Sequence, residues 1–496
     1  MNLNPLSWFR KNPPAQTERT HTLTSTQLRA IQARYDNSQY TDENVRNWWM
    51  ADILSAKAAN NWQVRRTLRI RSRYECANNP YLFGIVDNNA ADIIGTGPTL
   101  KVMTDNVGYN KAYEAAWAEW ADEVELTEKL KTIKLAETVD GEGFLVLKTV
   151  EELYSSIKLY PVDLEADQFT APAPLDLEQL WLDGVIVHPI TGKPVSWTVL
   201  KSHPGDYWFP DFNPLDSNTV PSKFVIQTFR KFRPGQIRGI PVFTSALDLF
   251  SELRAYRRAI LQKAQIAANL TAVIETEAPA DATGANTGVP FQNIPIDRGT
   301  STTLPGGGKM HQYQTGEPSS TYEAFREACL GEACRPLSYP LNLALGTSQK
   351  FNFSSAKLDF KNYYYQGEVE RSDKDKRVLN PILAAFHEEA IRVPKLLPRI
   401  GSQRVPPHKW HWSGFPVLDE MVETQADALQ LNAGTKTWEQ FWAARGQDWK
   451  VVMAQQAEEK KEMERLELVF GEPLKKTEKV DEITDDAAAV EEANAA

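Results

Sequence analysis

The sequence predicts an α+β fold, with helices and strands segregated along the chain. Three observations predict it. Residues 41–140 carry apolar side chains at three- and four-residue spacing, the mark of amphipathic helices. Residues 141–242 change to short β-rich runs bounded by Pro and Gly. Two more long helical patterns, 243–275 and 356–392, follow on either side of a stretch poor in helix signals. A chain of 496 residues points to about three domains. With 42% hydrophobic and 10% aromatic residues, it can bury a substantial core.

Residues 1–40 are polar with scattered aromatics and read as an arm. Thr41-Asp42-Glu43-Asn44 is a helix start signal before a Trp-rich stretch. Asn78-Asn79-Pro80 marks a turn, after which Ile85, Val86, Ala90, Ile93 and Ile94 line one helical face. Gly95-Thr96-Gly97-Pro98 stops that helix, with Gly expected in a left-handed cap. Tyr113, Ala116, Trp117, Trp120, Leu126, Leu130 and Ile133 give a further helical pattern over 109–137. Strands are expected at 143–148, 184–188, 196–200 and 224–229, with a hairpin turn at 188–194. Ser245 and Asp248 form an S-x-x-D capping box for the longest helical pattern, 243–275. Residues 276–318 are rich in Gly, Pro, Thr and Asn, long for a connection and therefore a candidate functional loop. A second capping box at Ser320 to Glu323 starts a helix that Pro336 stops. A loop of small and polar residues, Leu345 to Ser355, precedes the pattern 356–392, where Pro381 predicts a kink. Residues 393–415 are Pro-rich, 416–470 are helical, and the Ala/Glu/Asp tail from Gly471 reads as disordered.

Composition and motifs exclude more than they select. Net charge is -10, against the basic footprint of a free DNA-binding protein. Cys76, Cys329 and Cys334 are odd in number and match no zinc spacing, so they read as free thiols in a reducing compartment. The opening MNLNPLSWFRKNPP has no apolar run of signal-peptide length, and no stretch is apolar enough to span a membrane. Gly306-Gly307-Gly308-Lys309 lacks P-loop spacing, and no G-x-S-x-G, H-E-x-x-H or EF-hand loop occurs. His408 and His411 are three apart without a supporting Cys or carboxylate cluster, so no metal site is expected. Asp140-Gly141-Glu142 reads as a solvated acidic turn. No catalytic residues and no cofactor are expected. The 14 Trp, several in close sets, suit core packing or subunit contact. Arg254, Arg257, Arg258 and Lys263 lie partly on one face of the long helix, as a salt-bridged flank or as a contact for a subunit or nucleic acid.

Four stretches carry a family resemblance: Arg69 to Pro98, Phe232 to Pro241 (FRPGQIRGIP), Ser251 to Thr276, and Asn352 to Asp359. In this order and spacing they resemble the portal proteins of tailed double-stranded DNA phages, lambda type, over residues of about 40 to 440. The resemblance implies a portal fold. A helical and β wing would span 41–242, a first stem helix 243–275, a β/loop clip 276–318 and a second stem helix 319–344. A tunnel loop would occupy 345–355, followed by a long kinked helix over 356–392, a C-terminal wing or crown over 393–470 and an acidic tail over 471–496. It implies a ring, usually of twelve subunits, that passes double-stranded DNA without reading its sequence. It also implies docking to the large terminase, the major capsid protein and head-completion or connector proteins, at the portal vertex of a virion assembled in the host cytoplasm. Gln349, Lys350, Phe351, Asn352 and Phe353 would line the DNA channel, with Lys350 touching phosphates or the two Phe packing between neighbouring loops. An acidic chain suits such a conduit, because a surface gripping phosphates would stall moving DNA. A capsid-associated adaptor without a channel is the alternative; an enzyme would need a constellation that the sequence lacks.

Overall fold

The computed structural model describes residues 36–39, 41–170, 183–206, 213, 216–269, 273–276, 308–311, 321–398, 404–416 and 419–466. The arm (apart from 36–39), most of 276–318, Ser320 of the second capping box and the acidic tail lie outside these residues. The chain divides into two compact units, 1–55 and 56–496. In the first, helix α1 (Asp42–Trp48) begins where the start signal places it, because Thr41 Oγ1 accepts from the Asn44 N–H at 3.2 Å.

In the second unit, after a single helical turn (Ala56–Ala59), two helices follow, α2 (Trp62–Asn78) and α3 (Pro80–Ile94), joined at Asn79. Asn79 caps α3, and Pro80 occupies its first turn, where no N–H is needed. Gly95 ends α3 with φ +56 and ψ −136, a positive-φ conformation but not the left-handed helical cap expected. Strand β1 (Thr99–Val102) leads into α4 (Val107–Glu123) and α5 (Leu126–Val139). Glu125, at φ +52, breaks the single helical pattern of 109–137 into these two helices.

Strand β2 (Glu142–Thr149) is central. It pairs antiparallel with β3 (Leu159–Leu164) on one side and, across the sheet, with β7 (Val225–Phe229) on the other. Its side chains alternate between two cores: Leu145 and Leu147 pack with Trp117, Trp120 and Phe386, whereas Phe144 and Val146 pack with Phe169 and Trp197. A strand buried on both faces reads as a continuous apolar run, as GFLVL does. A second sheet runs β4 (Val185–Val187), β5 (Pro194–Leu200), β6 (Ser217–Pro221), with the expected hairpin at its first connection.

Helix α6 (Leu247–Asn269) is shorter than the pattern 243–275. Ser245 sits inside a 3₁₀ turn (Thr244–Ala246), and Ile274 lies in strand β8 (Val273–Thr276), which pairs antiparallel with β9 (Gly308–His311). Helix α7 (Thr321–Ala333) packs on α6 through Tyr256 against Tyr322 and Phe325. Pro336 falls in the 3₁₀ turn that ends it, and a short helix α8 (Leu341–Leu345) follows, so 319–344 is not one helix.

Helix α9 (Phe353–Lys374) starts three residues earlier than the pattern predicts, because Asn352 caps it by accepting from the Ser354 N–H at 3.2 Å. The expected disturbance at Pro381 takes the form of a π-helical turn (Asp375–Leu379) ahead of α10 (Asn380–Ala390). Proline lacks an N–H and its ring clashes with the carbonyl four residues back, and a widened turn accommodates both. Strand β10 (His408–His411) pairs with β1, joining Leu100 to Trp410. Three helices, α11 (Glu420–Asn432), α12 (Trp438–Ala443) and α13 (Trp449–Arg465), complete the described chain, and none has a buried residue.

Candidate functional site

The site rests on a buried ionic clasp. Arg65, Arg69 and Arg73 project at four-residue spacing from one face of α2. Arg69 and Arg73 meet the carboxylates that flank the turn at Gly141. Glu142 is fully buried; its oxygens accept from Arg238 Nη2 at 2.6 Å, Arg238 Nε at 2.9 and 3.0 Å, Arg69 at 3.3 Å and the Gly239 N–H at 3.1 Å. Asp140 takes a bidentate pair from Arg73 at 2.6 and 2.7 Å. Arg65 reaches Asp183, and Arg69 reaches Asp167 at 2.7 Å. The acidic turn is therefore not solvated surface, as its isolated sequence suggests; three guanidinium groups, those of Arg69, Arg73 and Arg238, bond its carboxylates. Burial works to raise the Glu142 carboxyl, but Arg238, then Arg69 and Arg65, hold it below the usual carboxylate range. Arg65 itself is lowered to about 10, by burial and by Arg238.

Two of the stretches carrying the family resemblance thus meet at one carboxylate: Arg69 comes from the first, Arg238 from the second. Sequence spacing could not reveal this, because the partners lie 73 and 96 residues from Glu142. The clasp has no access to solvent at its centre and is a scaffold element. At its rim Glu165, Asp167 and His203 converge, the one such group among the described residues. Arg73 already contacts both carboxylates at 2.9 Å, supplying the positive charge that a cation would bring. His408 and His411 do not converge: His408 bonds Asn380 at 3.0 Å and the Pro406 carbonyl at 2.9 Å. On a strand, residues three apart face opposite sides.

The predicted stem residues divide. Arg254 binds Glu75 at 2.5 and 3.2 Å and lies over the Tyr74 ring, so it joins α6 to α2. Arg257, Arg258 and Lys263 are exposed. The predicted channel loop is the connection between α8 and α9. Gly346, at φ +66, turns the chain out of α8, a conformation that costs a non-glycine residue energy. Gln349 and Lys350 are exposed, Phe351 is half-buried, and Asn352 and Phe353 belong to the start of α9. Lys350 is not free: its Nζ lies 2.9 Å from Glu323 and 3.2 Å from Glu327, both on α7. Under the loop is a cavity of about 640 Å³, lined by Asn88, Leu343, Phe351, Phe353, Ala356 and Phe360. Loop and stem residues are brought into one region, since α6 packs on the helix that holds Lys350. Among the described residues no helix is long and apolar enough to cross a membrane.

Residues 43–366, well over half of the chain, match the family model for phage portal protein, lambda family. The chain belongs to the lambda family of phage portal proteins. None of the curated proteins matches it. Among solved structures it is similar to a chain in the neck of a native gene transfer agent (GTA) particle computed with C12 symmetry, at 15% identity and TM-score 0.39, over 74% of this chain and 88% of that one. It is similar to a chain in the virion of a native gene transfer agent particle, at 14% identity and TM-score 0.38, over 73% and 88%. A chain in the neck of an empty particle computed with C6 symmetry aligns at 14% identity and TM-score 0.40, over 72% and 86%. The matched span of this portal-family chain includes the whole clasp, α6, α7, the loop and the first two-thirds of α9.

Proposed function

We propose that the chain is the subunit of a portal ring at one capsid vertex, a conduit through which double-stranded DNA enters during packaging and leaves during ejection. Family membership over residues 43–366 carries this reading. In it the protein is mechanical and not catalytic: a separate terminase motor docks on it and supplies the hydrolytic energy, and connector proteins bind later. The wing is 41–242, the stem comprises α6 and α7 within 243–275 and 319–344, and the clip is 276–318, with β9 inside it pairing back to β8 at its start. The tunnel loop is 345–355, with Gln349, Lys350 and Phe351 toward the DNA. The helix over 356–392 returns to the wing, and 393–470 forms the crown. What supports the stem is the packing of α6 on α7 beside a short antiparallel pair. The support for the loop is its position: an exposed turn, hinged at Gly346, held against the second stem helix, α7, by Lys350.

Electron microscopy of the purified full-length chain tests the reading. Closed rings with an axial hole are expected. A monomer at all concentrations points instead to an adaptor without a channel.

A further inference from the structure

Helices α6 and α7 form a two-helix layer with edges of opposite charge. Tyr256 marks the side of α6 that faces α7. At about 100° per residue, Arg254 and Arg258 lie roughly 160° away from it, and Arg257 roughly 100° away. On α7, Phe325 marks the side that faces α6. By the same geometry Glu323 and Glu327 lie roughly 160° from Phe325. One edge of the layer is therefore basic and the other acidic. Arg257 and Arg258 are exposed and make no ion pair with any described residue. Arg71 is exposed one turn from Glu75, the residue that holds Arg254, and extends the basic edge. The acidic edge is occupied within the chain by Lys350, with Arg326 at 3.8 Å from Glu323.

We propose that a second copy of this chain covers these edges, with Arg257 and Arg258 of one subunit pairing with Glu323 and Glu327 of the next and displacing Lys350. The proposal rests on the ring reading and names the contact that closes the ring. Two different, complementary patches on one chain make a head-to-tail contact, the kind that repeats around a closed ring. Displacement is reasonable because the Lys350–Glu323 pair lies on the surface, with Lys350 58% and Glu323 56% exposed, and Lys350 reaches the half-buried Glu327 from solvent; exposed pairs contribute little. An Arg fork binds carboxylates in two places, where Lys offers a point charge. Once displaced, Lys350 is the single charge of an exposed loop, free to meet phosphates in the lumen. Assembly and channel charge are coupled through Glu323 and Glu327.

The test uses two charge-reversed full-length chains. R257E/R258E makes both edges acidic, and E323R/E327R makes both basic. By light scattering at moderate salt, each alone is expected to need roughly tenfold more protein to assemble than the natural chain. An equimolar mixture is expected to recover ring formation, since acidic and basic subunits alternate. Circular dichroism checks that each variant is folded, and the milder R257Q/R258Q serves if a reversal unfolds the chain. Unchanged assembly of the single variants, or a mixture no better than its components, overturns the pairing while leaving the ring reading intact. If the natural chain never assembles, the ring reading fails and takes the pairing with it.

Discussion

Glu142→Gln tests whether the ionic clasp holds α2 and the two sheets together. The substitution keeps shape and most hydrogen-bonding capacity but removes one negative charge from a fully buried site. Arg238 is only 3% exposed and Arg69 only 5%, so neither guanidinium can turn to water. Arg238 keeps the carbonyls of Phe169 at 2.9 Å and Asp183 at 2.8 Å, but its 2.6 Å partner becomes a neutral amide. Removing one member of a buried ion pair destabilises by about 3–5 kcal/mol, mostly through the charge left behind. Against a typical domain stability of about 5–15 kcal/mol, that is a large share. Urea unfolding followed by circular dichroism measures it, with Glu165→Gln as the control. Glu165 is 57% exposed, and its loss is expected to change stability by less than about 1 kcal/mol. The same clasp predicts the acid limb. In the clasp, Glu142 and Asp167 have folded-state values below the ordinary carboxylate range, whereas burial pushes Asp140 above it; outside the clasp, against the cost of burial, Lys374 and Lys134 lower Glu137 to about 2. A depressed carboxylate contributes stability that is present above its unfolded value of about 4 and is lost as pH falls toward the folded value. Unfolding of the natural chain is therefore expected between about pH 4 and pH 2, and Glu142→Gln should flatten that limb. A loss below about 1 kcal/mol with an unchanged acid limb refutes the claim that the Glu142 charge balances the arginines.

Gly141→Ala is expected to be as harmful as the loss of Glu142: Gly141 sits at φ +92, and an added Cβ would lie 2.2 Å from the backbone of Ile240. A thermal melt within a few degrees of the natural chain would contradict that geometry. Cys334 is buried, and burial pushes its thiol up to about 12, so a disulfide reagent should label Cys76 and Cys329 first and Cys334 only on unfolding. Lys350→Ala should leave assembly intact while altering DNA packaging or retention. A thiol introduced by Gln349→Cys should be labelled in empty particles and protected in filled ones; equal reactivity in both would remove the loop from the channel wall.

What the sequence determined by itself was local. Helix starts at Thr41 and Asn79, the stop near Gly95, the β-rich run of β2, the hairpin at 188–194 and the disturbance at Pro381 all depend on neighbouring residues, and all were legible. Family membership was legible too, because it resides in residue order. Tertiary structure decided the rest. Strands β1 and β10 pair across some three hundred residues, and neither four-residue segment announces itself alone. Asp140 and Glu142 look like solvent-exposed acids until Arg73, Arg69 and Arg238 arrive from segments far apart in the chain. Lys350 is likewise a bare cation in sequence and a paired one in space. Backbone propensity and capping act over a few residues, whereas charge pairing depends on distance through space, which only the folded chain sets.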